Sequence, residues 1–177
     1  MIDMATAFRE RGVRYFYHLT HINNLRGILA EGILSRKVLC AKDLPFEDIS
    51  DANAQRKRGL YLLPEQDKLV VRDCVPLFLD YRNAMFESLK KKFHEKLAFL
   101  VMSLKVAGHL GVCFTDRNPA YGHGHIYSKA EDVIKLRLLD VKEPGGKSIG
   151  GVPEVRIPDC VEVAYVEQIY HSPKLSR

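Results

Sequence analysis

Three separated stretches carry the side chains whose types could do chemistry. They are Tyr17-His18-Leu19-Thr20-His21-Ile22-Asn23-Asn24-Leu25, the basic Gln55-Arg56-Lys57-Arg58, and a lone Glu154 that opens an extended run after a glycine-rich loop. A fixed carboxylate can stabilise developing positive charge or take a proton. A guanidinium binds anionic oxygens in a planar, multi-donor geometry. His, Thr and Asn side chains can hold a substrate by hydrogen bonds. Each stretch also has an ordinary structural reading: His18 as a strand-end histidine, Thr20 and Asn23 as helix caps, the arginines as a solvated charge run, Glu154 as an exposed strand-end carboxylate.

Other chemistries find no support. The chain has no G-x-G-x-x-G after a strand, no P-loop and no H-E-x-x-H. His123-Gly-His125 could chelate, but no nearby Cys or carboxylate cluster completes a site, so no metal is expected. Cys40, Cys74, Cys113 and Cys160 lie far apart in apolar contexts without C-x-x-C pairing, which reads as reduced structural thiols of a cytosolic protein. The net charge of +5 suits an anionic partner, either nucleic acid or a phosphate-bearing cofactor.

The elements that must position these residues read as one mixed α+β domain over residues 1–177. Residues 14–18 form an aromatic-rich strand, and Thr20 caps a following helix that carries Leu25, Ile28 and Leu29 and stops at Gly32. Residues 41–59 form a long exposed or partly helical arm. A buried strand at 75–79 precedes a helix from Asn83 through Lys96, with Met85, Leu89 and Phe93 on one face and Lys90, Lys91, Lys92 and Lys96 on the other. Further strands fall at 97–106 and 112–115. Ser128 and Glu131 form a capping box for a short helix ending at Ile134. After a loop over 144–151, two last strands run over 153–157 and 163–170. No signal-peptide core and no run of about 18 apolar residues is present, so a cytoplasmic protein is expected.

The three stretches, in this order, resemble the DarT family of DNA ADP-ribosyltransferase toxins over roughly residues 15–169. The most specific likeness is 17–25 with Ile28-Leu29 and Gly32-Ile33-Leu34-Ser35. Asp48-Ile49-Ser50-Asp51 leading to Arg56 and Arg58 is similar to the segment that supplies the family's catalytic arginine, with Arg58 favoured. Pro153-Glu154-Val155-Arg156-Ile157 resembles its Ala-Glu strand. The chain departs from the family at Asn83-Ala84, where Ser-Pro is usual, and at Arg117-Asn118, where Gly-His is usual.

This resemblance implies an ADP-ribosyltransferase-like fold in which two small mixed sheets and flanking helices form an NAD cleft. NAD would be consumed as a substrate and no metal would be needed. His18, Thr20, Asn23, Leu25 and Arg58 would hold NAD, Glu154 with Arg58 or Arg56 would catalyse, and Tyr81, Arg82, Met85 and Asn118 would meet DNA. The implied partners are single-stranded DNA and a DarG-like macrodomain antitoxin. The basic helix face could follow phosphates, while Tyr81, Phe86 or Tyr121 could stack a base. The rival readings are an ADP-ribosyltransferase of RNA or protein, and a nucleic-acid-binding module without catalysis.

Overall fold

The computed structural model describes residues 2–63, 69–80, 84–121, 124–136 and 153–171. The elements are α1 (Met4–Glu10), β1 (Phe16–His21), α2 (Leu25–Glu31), β2 (Ile33–Leu34), α3 (Arg36–Ala41), α4 (Ala52–Arg58), β3 (Cys74–Phe78), α5 (Ala84–Phe93), β4 (Leu97–Met102), β5 (Cys113–Thr115), β6 (Ile126–Tyr127), β7 (Glu154–Pro158), β8 (Cys160–Val161) and β9 (Val166–His171), linked by short 3-10 turns. They form the expected α+β arrangement. A seven-stranded sheet runs β6-β5-β7-β3-β1-β4-β9, and β2 pairs with β8 in a second, two-stranded sheet. Every strand pairing among the described residues is antiparallel.

Strand alternation sorts the large sheet into two apolar faces. Phe16, Leu100, Met102, Val75, Leu77, Val155, Ile157 and Phe114 share the main core with Met4, Ala7 and Phe8 of α1. Phe8 meets Phe16 and Phe114 edge-on, with ring centroids 5.0 and 5.7 Å apart, and burying such a side chain contributes about 1.5–3 kcal/mol. On the other face Leu19, Phe78, Leu97 and Phe99 pack with Phe86, and Met85, Leu89 and Phe93 of α5 close over them.

The join between β1 and β3 positions the site. β1 runs alongside β4 for six residue pairs, and β3 alongside β7 for five. β1 and β3, in contrast, share only Tyr17↔Phe78. The sheet is thus two well-zipped halves meeting at one point, and a seam opens between residues 18–21 and 74–77.

Several local expectations shift. β1 begins two residues later than expected and runs through Thr20, which therefore caps nothing. The cap falls to His21, whose Nδ1 accepts from Asn23 N at 3.2 Å and starts a 3-10 turn ahead of α2. Residues 97–106 divide into β4 and a 3-10 turn over Leu104–Gly108. Ala130–Lys135 is a 3-10 turn whose cap position is Lys129, without a side-chain cap bond, so Ser128 and Glu131 form no capping box. The last expected strand splits into a 3-10 turn over Val163–Tyr165 and β9, and β8 was not anticipated.

Gly32 does end α2: its φ of +85° suits glycine, and a Cβ there would lie 2.7 Å from the Val161 carbonyl oxygen. That close approach is what lets β2 reach β8. All four cysteines are free thiols, and burial pushes Cys74 and Cys113 up to about 12, which keeps them protonated. Among the described residues no helix is long and apolar enough to cross a membrane. The loop at 144–151 lies outside the described residues.

Candidate active site

Glu154 is the first residue of β7, and all five residues of that strand are buried. Alternation sends Val155 and Ile157 into the main core and leaves Glu154 and Arg156 side by side on the opposite face. The Glu154 backbone is fixed by Thr115 of β5: Glu154 N donates to Thr115 Oγ1 at 3.2 Å, and that hydroxyl donates to the Glu154 carbonyl at 3.4 Å. The carboxylate is completely buried. A carboxylate in such a setting needs charged partners, and it has two: Arg58 Nη2 donates to Oε1 at 2.9 Å, and Arg156 Nη2 donates to Oε2.

Arg58 arrives from the last turn of α4. That helix is capped by Asp51, which accepts from Ala54 N at 2.8 Å, and its cationic last turn faces the negative end of the helix dipole. The same Arg58 Nη2 also donates to Asn118 Oδ1 at 3.1 Å, and Asn118 is held by Ala120 N at 3.0 Å. Three segments from different parts of the chain thus converge on one buried cluster of Arg58, Asn118, Glu154 and Arg156.

A cavity of about 520 Å³ opens at the β1–β3 seam. His18, Thr20, Ile28, Ile33 and Val75 line it from the α1 side of the sheet, and Leu19, Cys74, Pro76 and Arg156 from the α5 side. A cavity with both faces of one sheet in its wall is possible because the two strands part. Residues 44–50 form its outer wall, and Asn24 fastens that wall to β1. The Asn24 side chain accepts from Glu47 N at 2.8 Å, donates to Glu47 O at 3.0 Å and donates to Thr20 Oγ1 at 3.1 Å. Arg36 pairs with Asp48 in the same wall.

His18 is buried, and its Nδ1 lies 3.0 Å from the Pro76 carbonyl oxygen. Because a carbonyl can only accept, Nδ1 carries the proton and Nε2 is left as an acceptor. Burial depresses the His18 pKa, and the Pro76 bond offsets this only in part. The folded chain thus resists protonation of His18 more than the unfolded chain, which takes up a proton below the ordinary value of 6.5. Stability is expected to fall as pH drops through about 6.5, by at most about 1.4 kcal/mol per pH unit from this one group. Chemical denaturation between pH 7.5 and 5 will measure it, and His18→Asn should flatten that part of the profile.

The expected site residues fall into groups. His18, Thr20 and Asn23 line the cavity. Arg58, Asn118 and Glu154 form the buried cluster beside it, without lining it themselves. Leu25 packs against the main core and is not part of the cavity wall. Arg56 is exposed and bonded to Asn53, away from the cluster. Met85 packs under α5, close to Leu19 and Phe78. Tyr81, Arg82 and His123 lie outside the described residues, and Tyr121 has no described side chain. His125 is exposed, with its Nδ1 3.2 Å from Asp116. Among the described residues no group of three or more potential ligands could hold a metal ion.

Three residues lie inside the quoted stretches without a role assigned from sequence: Arg156, Asn24 and Gln55. The alternation Glu-Val-Arg-Ile in a buried strand was the available signal for Arg156. Among the buried side-chain atoms without a hydrogen-bond partner in the described residues, Arg156 Nε and Gln55 Oε1 are the two whose side chains line the cavity. Such an unfilled donor and acceptor fit a polar ligand.

A family model for the ssDNA thymidine ADP-ribosyltransferase DarT matches residues 17–174. A DNA ADP-ribosyl transferase-DNA ADP-ribosyl glycohydrolase fusion protein of Thermosipho africanus (strain H17ap60334) is 27% identical over 170 residues, covering 90% of this chain and 42% of that protein. A DNA ADP-ribosyl transferase of Thermus sp. (strain 2.9) is 28% identical over 130 residues, or 68% of this chain and 60% of that protein. The chain therefore spans less than two thirds of either curated relative. The fold is shared with Thermus sp. 2.9 DarT, solved with ADP-ribosylated ssDNA (TM-score 0.71, 23% identity) and with NAD+ (TM-score 0.64, 21% identity), each superposition covering 89% of this chain and 81% of that one. By the extent of the family match, the chain belongs to the DarT family of ssDNA thymidine ADP-ribosyltransferases.

Proposed function

We propose that this chain transfers ADP-ribose from NAD+ to thymidine in single-stranded DNA, as one catalytic domain over residues 1–177. The observation that carries the reading is the buried Arg58–Glu154–Arg156 cluster beside the seam cavity, in a chain of this family. In the reaction the bond between nicotinamide and ribose C1 breaks, and nicotinamide leaves with the electron pair. Positive charge spreads over the ribose ring, where the Glu154 carboxylate stabilises it. Thymidine has a single ring N–H, at N3. That nitrogen forms the new bond to C1 while Glu154 takes its proton.

The other residues have matching roles. Arg58, bonded to both Glu154 and Asn118, holds the carboxylate in place. His18 Nε2 and the Thr20 hydroxyl offer hydrogen bonds to the nicotinamide amide and ribose, which keeps the reacting carbon oriented. Asn24 keeps the wall at residues 44–50 against them. A base stacked inside a duplex hides N3, so a single strand is the better substrate. Lys90, Lys91, Lys92 and Lys96 supply a basic face for phosphates, with Tyr81, Arg82 and Met85 as further DNA contacts.

Unchecked modification of DNA is toxic. The glycohydrolase joined to the Thermosipho relative supports a partner of DarG type, a macrodomain that removes the adduct. A cytoplasmic location is part of this reading, supported by that substrate and by the free thiols.

The test is incubation with NAD+ labelled in its adenosine half, together with thymine-containing and thymine-free single strands, the matching duplex, RNA and protein. Label is expected on the thymine-containing single strand, with one nicotinamide released per adduct. Label confined to RNA or protein would overturn the DNA reading. DNA binding without nicotinamide release would leave only a binding module.

A further inference from the structure

We propose that Arg156, and neither Arg58 nor Arg56, binds the pyrophosphate of the donor. The proposal rests on the reading of the seam cavity as the NAD+ site. A dianionic pyrophosphate calls for a guanidinium with donors to spare, so the arginines of the cavity wall can be compared directly.

Arg26 is exposed. Arg36 is committed to Asp48 at the surface, and Arg72, nearly half exposed, leans on Asp73 at 3.4 Å. Arg156 differs from all three. It is only 1% exposed, its Nε is buried without a partner among the described residues, and its Nη1 reaches only the Val71 carbonyl, at 3.5 Å. Its Nη2 shares the Glu154 carboxylate with Arg58, so one negative charge is divided between two guanidinium groups. A buried cation with unfilled N–H groups attracts an anion more strongly than a solvated one. Arg58 lines no part of the cavity, and Arg56 points to Asn53.

The placement has a mechanistic consequence. The guanidinium that grips the pyrophosphate also holds Glu154 Oε2, so one side chain registers the donor against the carboxylate that acts on its ribose. Arg156 lines the cavity and pairs with Glu154, so it links the donor site to that carboxylate.

Isothermal titration of the full chain with ADP-ribose and with adenosine, which lacks phosphate, decides the matter. Arg156→Gln is expected to weaken ADP-ribose binding by about 10- to 100-fold and to leave adenosine binding within about twofold. Arg156→Lys, which keeps the charge but loses the planar fork, is expected to fall in between. Thermal unfolding reports whether each variant is folded; if the Gln variant is not, the Lys variant decides. ADP-ribose affinity within about twofold of wild type in a folded variant would overturn the proposal, as would absence of ADP-ribose binding by the wild-type chain. Wild-type protein that binds ADP-ribose, shows the Arg156 effect and yet forms no thymidine adduct would support the proposal and sink the activity reading alone.

Discussion

Glu154→Gln is expected to slow adduct formation by about 10²- to 10⁴-fold, the range typical of a lost proton acceptor or charge-stabilising group. The variant should still bind ADP-ribose, because the carboxylate acts on charge that appears only as nicotinamide departs. A second effect accompanies the first. Arg58 and Arg156 both lean on this carboxylate in a dry interior, and removing one partner of a buried ion pair costs about 3–5 kcal/mol. Folded domains are stable by only about 5–15 kcal/mol, so rates should be read at low temperature, with circular dichroism confirming the fold. Single-turnover release of nicotinamide separates chemistry from product release. A folded variant that reacts within about tenfold of wild type would remove Glu154 from the reaction.

Legibility from sequence followed the range of the interactions. The β1 core, the stop at Gly32 and the apolar stripe of Met85, Leu89 and Phe93 are local patterns, and all three appear in the fold. The β1–β3 seam is not local. It depends on which strands zip fully and which part after one residue pair, and no periodicity within either strand encodes that. The cap belongs to His21 and not to Thr20, although both residues accept hydrogen bonds, because only the length of β1 decides between them.

For the site, Glu154 and Arg58 stood out because the motif resemblance pointed at them. Asn118 stood out too, but as a DNA contact; its bond to Arg58 joins residues 60 positions apart. Arg156 was in view and unassigned. An arginine at i+2 on a strand is normally solvated, and only burial of both faces of β7 turns it into a partner for Glu154. Asn24, beside the expected Asn23, acquired its role through Glu47, whose position depends on the path of the whole 44–50 segment.

Arg58→Ala is expected to lower stability by about 3–5 kcal/mol and the rate by at least about 10²-fold, because Glu154 and Asn118 both lose their shared donor. Lost stability alone would not establish a positioning role, since any buried arginine would cost as much. A double-mutant cycle with Glu154→Gln distinguishes the cases. If Arg58 acts through the carboxylate, its removal from the Glu154→Gln background should cost the rate little. Non-additivity of about 2–3 kcal/mol in the activation free energy is then expected, whereas independent sites add within about 0.5 kcal/mol.

Arg58→Lys supplies the complementary reading. An ammonium restores the positive charge, and with it part of the stability. Its rotating ammonium does not fix donor directions as the planar guanidinium does, where the one nitrogen Nη2 donates to both Glu154 Oε1 and Asn118 Oδ1, so kcat should stay at least about tenfold low while the affinity for ADP-ribose is unchanged. Recovery of rate in proportion to stability would mean that Arg58 contributes charge alone, and the placement of Glu154 would then rest on Arg156 and Thr115.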